Sequence, residues 1–303
     1  DNVTINTIVV LPLFYPALPA NKTLNNVTLN GGSIDLNGFG LTLTGSFTLN
    51  SGTTITIGNN NLSISGDATF NGGTVNSTGT GSIIATGNNT FFGTGAVGPV
   101  INSAISVTSR TLTLANTTFN GTTYLEKYCV STDNLVGGNV FNGSTTIINS
   151  SSATLRFASS SSDDFNGDVT FIASGTGLLE PAYGATTTFA GNITVNSSSS
   201  LIFSAGAGTT VLDGGNSQTI NKTGTAIPIF KHLQINKSAN NVTLNTEVAI
   251  SSSCTFTQGR IISSNPNYLT IYNTAVALGA SNNSYVAGPV RKIGNEIFTF
   301  PVG

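Results

Sequence analysis

The sequence predicts an all-β protein: a right-handed parallel β-helix (β-solenoid) with about three short strands and 22–24 residues per coil. Three observations lead there. The tripeptide Phe-Asn-Gly begins at Phe119, Phe141 and Phe165, with Phe189-Ala190-Gly191 as a variant, at intervals of 22, 24 and 24 residues. Phe70-Asn71-Gly72 and Phe92-Gly93, 22 apart, carry the beat upstream, and Leu212 follows Phe189 by 23. Short runs with alternate apolar residues, such as Leu41-Thr42-Leu43 and Phe47-Thr48-Leu49, start every seven or eight residues, so three fit one period. Only 7% of residues are charged, against about 25% in typical domains. That leaves too few Glu and Lys for surface helices, while Thr, Val, Ile and Asn suit strands and turns.

Each letter of the unit has a physical role in one corner of a coil. Phe70, Phe92, Phe119, Phe141, Phe165, Phe189 and Leu212 are expected to form an internal column, with rings about 4.8 Å apart, the strand spacing. Asn71, Asn120, Asn142 and Asn166 are expected to hydrogen-bond along the stack as a ladder. Asn and Gly both tolerate positive φ, which suits a turn. An Asn-Gly hairpin turn is the rival reading, and regular spacing argues against it.

Residues 1–25 interrupt the pattern. Asn2-Val3-Thr4-Ile5 reads as one strand, and the Pro-punctuated run Leu11 to Pro19 reads as a cap over the open first coil or a junction to a preceding module. The apolar stretch Ile5 to Ala20 carries Pro12, Pro16 and Pro19 and is too short and broken for a membrane-spanning helix. Residues 26–278 read as the β-helix proper. The 27-residue interval from Phe92 to Phe119 predicts an inserted loop between Gly93 and Ser109, and polar Tyr124 to Val136 predicts a second. Leu212, Leu233, Phe256 and Leu278 continue the beat. Residues 279–303 read as closing strands, Tyr285 to Lys292 and Phe298 to Gly303, around a turn at Gly294-Asn295.

A formal net charge of −2 without a Lys/Arg cluster removes nucleic acid as a partner. Cys129 and Cys254, 125 residues apart, would lie about 25 Å apart along a stack with this period, and a bridge needs Cα atoms within about 7 Å. Two free thiols are therefore expected. His232 is the sole histidine, which removes multi-imidazole metal sites and leaves any Ser-His-Asp triad dependent on this one residue. Asp163, Asp164 and Asp168 form the one acidic cluster. It is a candidate catalytic or Ca²⁺ site, with Asp133 or Glu180 able to join from neighbouring coils, weighed against a solvated corner. No cofactor is expected. Thr-x-Thr runs such as Thr54-Ile55-Thr56 would suit an ice-binding face only if they stacked, and their positions are not whole coils apart.

Leu233-Gln234-Ile235-Asn236, Val242-Thr243-Leu244-Asn245, Tyr285-Val286-Ala287-Gly288-Pro289-Val290 and Phe298-Thr299-Phe300-Pro301-Val302-Gly303 resemble repeat regions of very large secreted surface proteins of Bacteroidota. Those include adhesins linked to gliding motility and carried by the type IX secretion system. The Phe-Asn-Gly units resemble the same proteins. The resemblance implies a secreted, cell-surface segment of a longer chain with neighbouring modules, acting as a stiff stalk and contact surface for glycans or solid substrata. The alternative is a polysaccharide lyase or hydrolase on the same fold, for which several carboxylates must meet on adjacent coils.

Overall fold

The computed structural model describes residues 1–6, 17–93, 97–197, 201–203 and 206–303. Much of the expected N-terminal cap and part of the expected loop after Gly93 lie outside these residues. The chain is all-β, its parallel strands stacked into a β-solenoid of about 12 turns, and it divides into two compact units, 1–144 and 145–303.

In the first unit each coil from residue 27 to 127 contributes three short strands, and each strand pairs with its equivalent in a neighbouring coil. The first wall runs through Val3–Ile5, Val27–Leu29, Phe47–Leu49, Ala68–Phe70, Asn89–Phe92 and Thr111–Leu114. The second includes Gly32–Asp35, Thr53–Ile57, Thr74–Ser77, Val100–Ile101, Thr118–Phe119 and Val140–Phe141. The third begins at Lys22–Leu24 and passes through Leu41–Leu43, Leu62–Ile64, Ser82–Ala85, Ala104–Ser109 and Thr123–Lys127. The ladder thus reaches into the segment 1–25. Alternation along each strand sends Leu29, Leu49, Ile55, Val75 and Ile83 inward, where burial is complete or nearly so.

The second unit repeats the plan with longer strands. Pro228–Leu244 and Val248–Ile262 run on around the corners as single strands of 17 and 15 residues. Val286–Ala287 pairs with Ile261–Ile262, and Val290–Lys292 pairs with Leu269–Ile271. The ladder therefore continues past residue 278. Of the two expected closing strands only the first is present, since Phe298 to Gly303 makes just an isolated parallel bridge, Val286 to Val302.

The inner column needs revision. Phe70 and Phe92 pair within the first wall, between Leu49 and Leu114. Phe119 and Phe141 belong to the second wall, after Val75 and Ile101. Phe92 and Phe119 still touch, edge to face at 5.4 Å, so the aromatic column steps sideways from wall to wall. Within each wall the rings stack flat, Phe70 on Phe92 at 4.7 Å and Phe119 on Phe141 at 5.1 Å. In the second unit Phe165 stacks on Phe189 at 5.0 Å, and that column continues through Leu212, Ile235 and Phe256. Leu233 instead pairs with Cys254, and Leu278 pairs with Thr255 and is half exposed.

Coil length is also less uniform than the Phe spacing suggests. It ranges from 18 residues, Val100 to Thr118, to 27, Ile193 to Ile220. The long interval after Phe92 is a local excess ahead of Val100, and Ala104–Ser109 within the expected loop is a strand. Tyr124 to Val136 is a loop only in its middle: Thr123–Lys127 and Asp133–Asn134 are strands and Lys127 is fully buried, whereas Val130 and most of its neighbours are exposed.

At Gly143 and Gly191 the repeat requires glycine by proximity rather than by φ, whereas Gly93 takes a left-handed φ of 71°. Gly143 and Gly191 are not in the left-handed region. A Cβ on either would stand 2.3 Å from the carbonyl oxygen of the equivalent glycine one coil earlier, Gly121 and Gly167.

Gly191→Ala is expected to cost about 1–3 kcal/mol, whereas Gly215→Ala, with only Ser238 Oγ at 3.8 Å, stays within about 0.5 kcal/mol. Phe92→Ala removes a fully buried stacked ring and should cost about 3–5 kcal/mol. Urea unfolding followed by circular dichroism reads all three.

Candidate functional site

The outward face of the first wall in unit 1 carries three ranks of mostly polar side chains, with Asp67 their one carboxylate among the residues named here. The three-residue strands place their middle residue outward and the four-residue strands their first and third, so paired positions bring Thr4, Thr28, Thr48 and Thr69 into one column, followed by Phe91 and Thr113. Successive threonines are one strand spacing apart, about 4.8 Å, and the β-branched side chain restricts each to few rotamers.

An asparagine rank flanks this column on one side and a mixed Asn, Ser and Asp rank on the other. On one, Asn71 donates to Asn50, Asn50 to Asn30 and Asn30 to Asn6, at 2.7, 2.7 and 2.9 Å. On the other, Asn26 donates to Asn2 at 3.0 Å, Ser46 Oγ to Asn26 at 3.0 Å and Asn89 to Asp67 at 3.0 Å. Lateral bonding holds the amides in fixed orientations and leaves further donor and acceptor capacity on each.

The expected single Asn ladder is therefore several. Asn71 belongs to the rank just described, whereas Asn120 and Asn142 belong to a ladder on the second wall. There Asn142 donates to Asn120, Asn120 to Asn102 and Asn102 to Asn76, at 2.6, 2.6 and 2.8 Å. Asn166 donates to Asp164 at 3.0 Å. Sequence reasoning missed Asn30, Asn50, Asn76 and Asn102. The signal for the first two was present, an apolar-Thr-apolar-Asn quartet in Val27 to Asn30 and Phe47 to Asn50.

Asp163, Asp164 and Asp168 are adjacent in sequence but point to different partners. Asp163 is buried, not solvated, and accepts from the Ala158 N–H at 2.9 Å. Asp164 accepts from Thr188 Oγ1 at 2.6 Å and Asp168 from the Asn192 N–H at 2.8 Å. Among the described residues no three His, Cys, Asp or Glu side chains converge in metal-binding geometry. The carboxyl that senses Asp164 is Asp213, whose pKa is raised by burial first and by the Asp164 charge second. Glu180, almost wholly buried, pairs with Arg156 at 2.5 Å across adjacent coils, and the guanidinium also stacks on Tyr183. Asp133 accepts from the Leu112 N–H at 2.8 Å. His232 lies half-buried on its strand, its Nδ1 2.8 Å from Ser253 Oγ, with burial and then Lys231 holding its pKa below the usual value.

Both thiols are free. Burial pushes Cys254 up. Cys129 is drawn down to about 7 by a backbone hydrogen bond from Ser131 and by the Arg110 guanidinium. No helix among the described residues is long and apolar enough to cross a membrane.

Comparison of the chain with protein-family models, with curated proteins and with solved structures returned no match.

Iodoacetamide should alkylate one of the two cysteines of the native protein, with a rate that rises around pH 7 because the thiolate is the nucleophile. Arg110→Gln should move that midpoint upward, and Cys254 should react only on unfolding. Mass spectrometry of timed aliquots across pH measures both.

Proposed function

We propose that this chain is a structural and adhesive segment of a secreted surface protein, a stiff β-solenoid whose polar wall contacts glycans or solid polysaccharide. The observation that carries this reading is the three-rank Thr and Asn face of unit 1. Ordered hydroxyl and amide groups at a fixed rung spacing match a ligand that is itself a repeating array of hydroxyls. The aligned, laterally bonded amides lower the ordering cost of contact. The face carries little charge, so salt should affect its binding weakly. The resemblance of the closing motifs to gliding-motility-type adhesins of Bacteroidota supports a place at the cell surface, exported by the type IX route.

The test is retention of the protein on insoluble cellulose, chitin and xylan. Thr28→Lys, Thr48→Lys and Thr69→Lys together should lower retention at least tenfold, about 1.4 kcal/mol, without changing the melting temperature by more than a few degrees. Unaltered retention, or no retention of the natural chain on any of the three, overturns the reading. The same incubations address the rival enzymatic one, which requires release of reducing ends or unsaturated products and their loss with Asp164→Asn.

A further inference from the structure

A second polar feature lies in unit 2, on the two long strands. Between the pairs Asn236 to Gln258 and Asn241 to Arg260, one strand spends five residues where its neighbour spends two. The surplus, Ser238 to Asn240, bulges outward as an exposed wall. Asn240 takes a left-handed φ of 61° and donates through its amide to Gly215 O at 2.7 Å, which anchors the bulge. Gly259 is required beneath it, because a Cβ there would stand 2.5 Å from Lys237 Cβ. The opposite wall is the tight turn Ser281 to Ser284, closed by two backbone hydrogen bonds and tied down by Ser284 Oγ donating to Gly259 O at 2.8 Å. The two walls enclose an open cleft of about 700 Å³, the size of a small-ligand site.

The lining is chemically one-sided. Asn241, Gln258, Ser281 and Asn283 offer amides and hydroxyls that both donate and accept, as sugar hydroxyls do. No carboxylate lines it among the described residues. Its one outward cation is Arg260, which is exposed, stacked over Tyr285 at 4.8 Å, and part of no ion pair among the described residues. Lys237 also lines the cleft but turns its amine inward, donating to Asn216 O at 2.6 Å and Gln218 Oε1 at 2.8 Å. The ring holds the guanidinium in place, and its planar fork suits a two-oxygen anion.

We propose that this cleft binds an acidic saccharide, with Arg260 taking a carboxylate or sulfate and the surrounding amides taking its hydroxyls. The inference rests on reading the chain as glycan-contacting, and it assigns a soluble-ligand site distinct from the flat wall of unit 1. A single cation amid neutral groups selects a ligand with sparse negative charge rather than a polyanion.

Isothermal titration of the full chain with trigalacturonate, a sulfated trisaccharide and neutral maltotriose tests it. At least one acidic trisaccharide should bind tenfold or more tighter than maltotriose, and the stronger of the two identifies the anion. Arg260→Gln should abolish that preference, Arg260→Lys should retain part of it, and Arg110→Gln, remote in the sequence and outside the lining, should leave it intact. Equal binding of maltotriose, an unchanged preference in Arg260→Gln, binding of inorganic sulfate as tight as the acidic sugar, or no binding of any trisaccharide overturns the assignment. Retention on insoluble polysaccharide is measured separately with the unit 1 variants, so loss of the cleft site and loss of the adhesive reading give different results.

Discussion

The structure depends on in-register parallel stacking, because a single coil cannot cover its own apolar side. Each strand is satisfied only by its equivalents in the coils before and after, and each buried ring meets a ring or aliphatic group at the rung spacing. The flat contacts of Phe70 on Phe92 and Phe165 on Phe189, at 4.7 and 5.0 Å, are this constraint expressed in side chains. Coils of 18 and 27 residues obey it equally, since surplus residues go to the corners and the paired positions stay aligned. Closeness of this kind also explains corner glycines such as Gly143 and Gly191, which leave no space for a Cβ between coils.

Stacking that orders the interior orders the exterior as well. Side chains alternate, so every inward rank implies an outward one, and on the first wall this produces parallel lines of Thr and Asn. Few charges remain for such a surface, and several are spent on internal fastening. Lys127 is buried with its amine on Cys129 O at 2.5 Å, Lys237 on Asn216 O, and Glu180 under Arg156. Long aliphatic stems pack in the coil while their heads satisfy corner carbonyls. Arg260 differs from these, being exposed beside the bulge and in no ion pair among the described residues.

Much of the fold was legible. A period in the low twenties and three apolar-alternating runs per period predict a three-walled coil, and the walls are present. The details that failed share one cause. The Phe beat predicts one ladder, yet Phe92 and Phe119 sit on different walls, because spacing in sequence fixes how many residues intervene but not at which corner they are inserted. The same ambiguity made strands such as Ala104–Ser109 look like loop, and made polar Lys127 look exposed when its amine is turned into the coil.

The candidate sites divide along the same line. Composition and alternation by themselves determined an all-β solenoid with an apolar inside and a Thr/Asn-rich outside, because both follow from local periodicity. Tertiary structure alone decided which outward residues share a rank, that Asp163 faces inward while Asp164 and Asp168 do not meet it, and that a bulge at Ser238 to Asn240 opens a cleft beside Arg260. Register between coils is a long-range property, set by packing and corner geometry at residues about 20 positions away, and no local pattern encodes it.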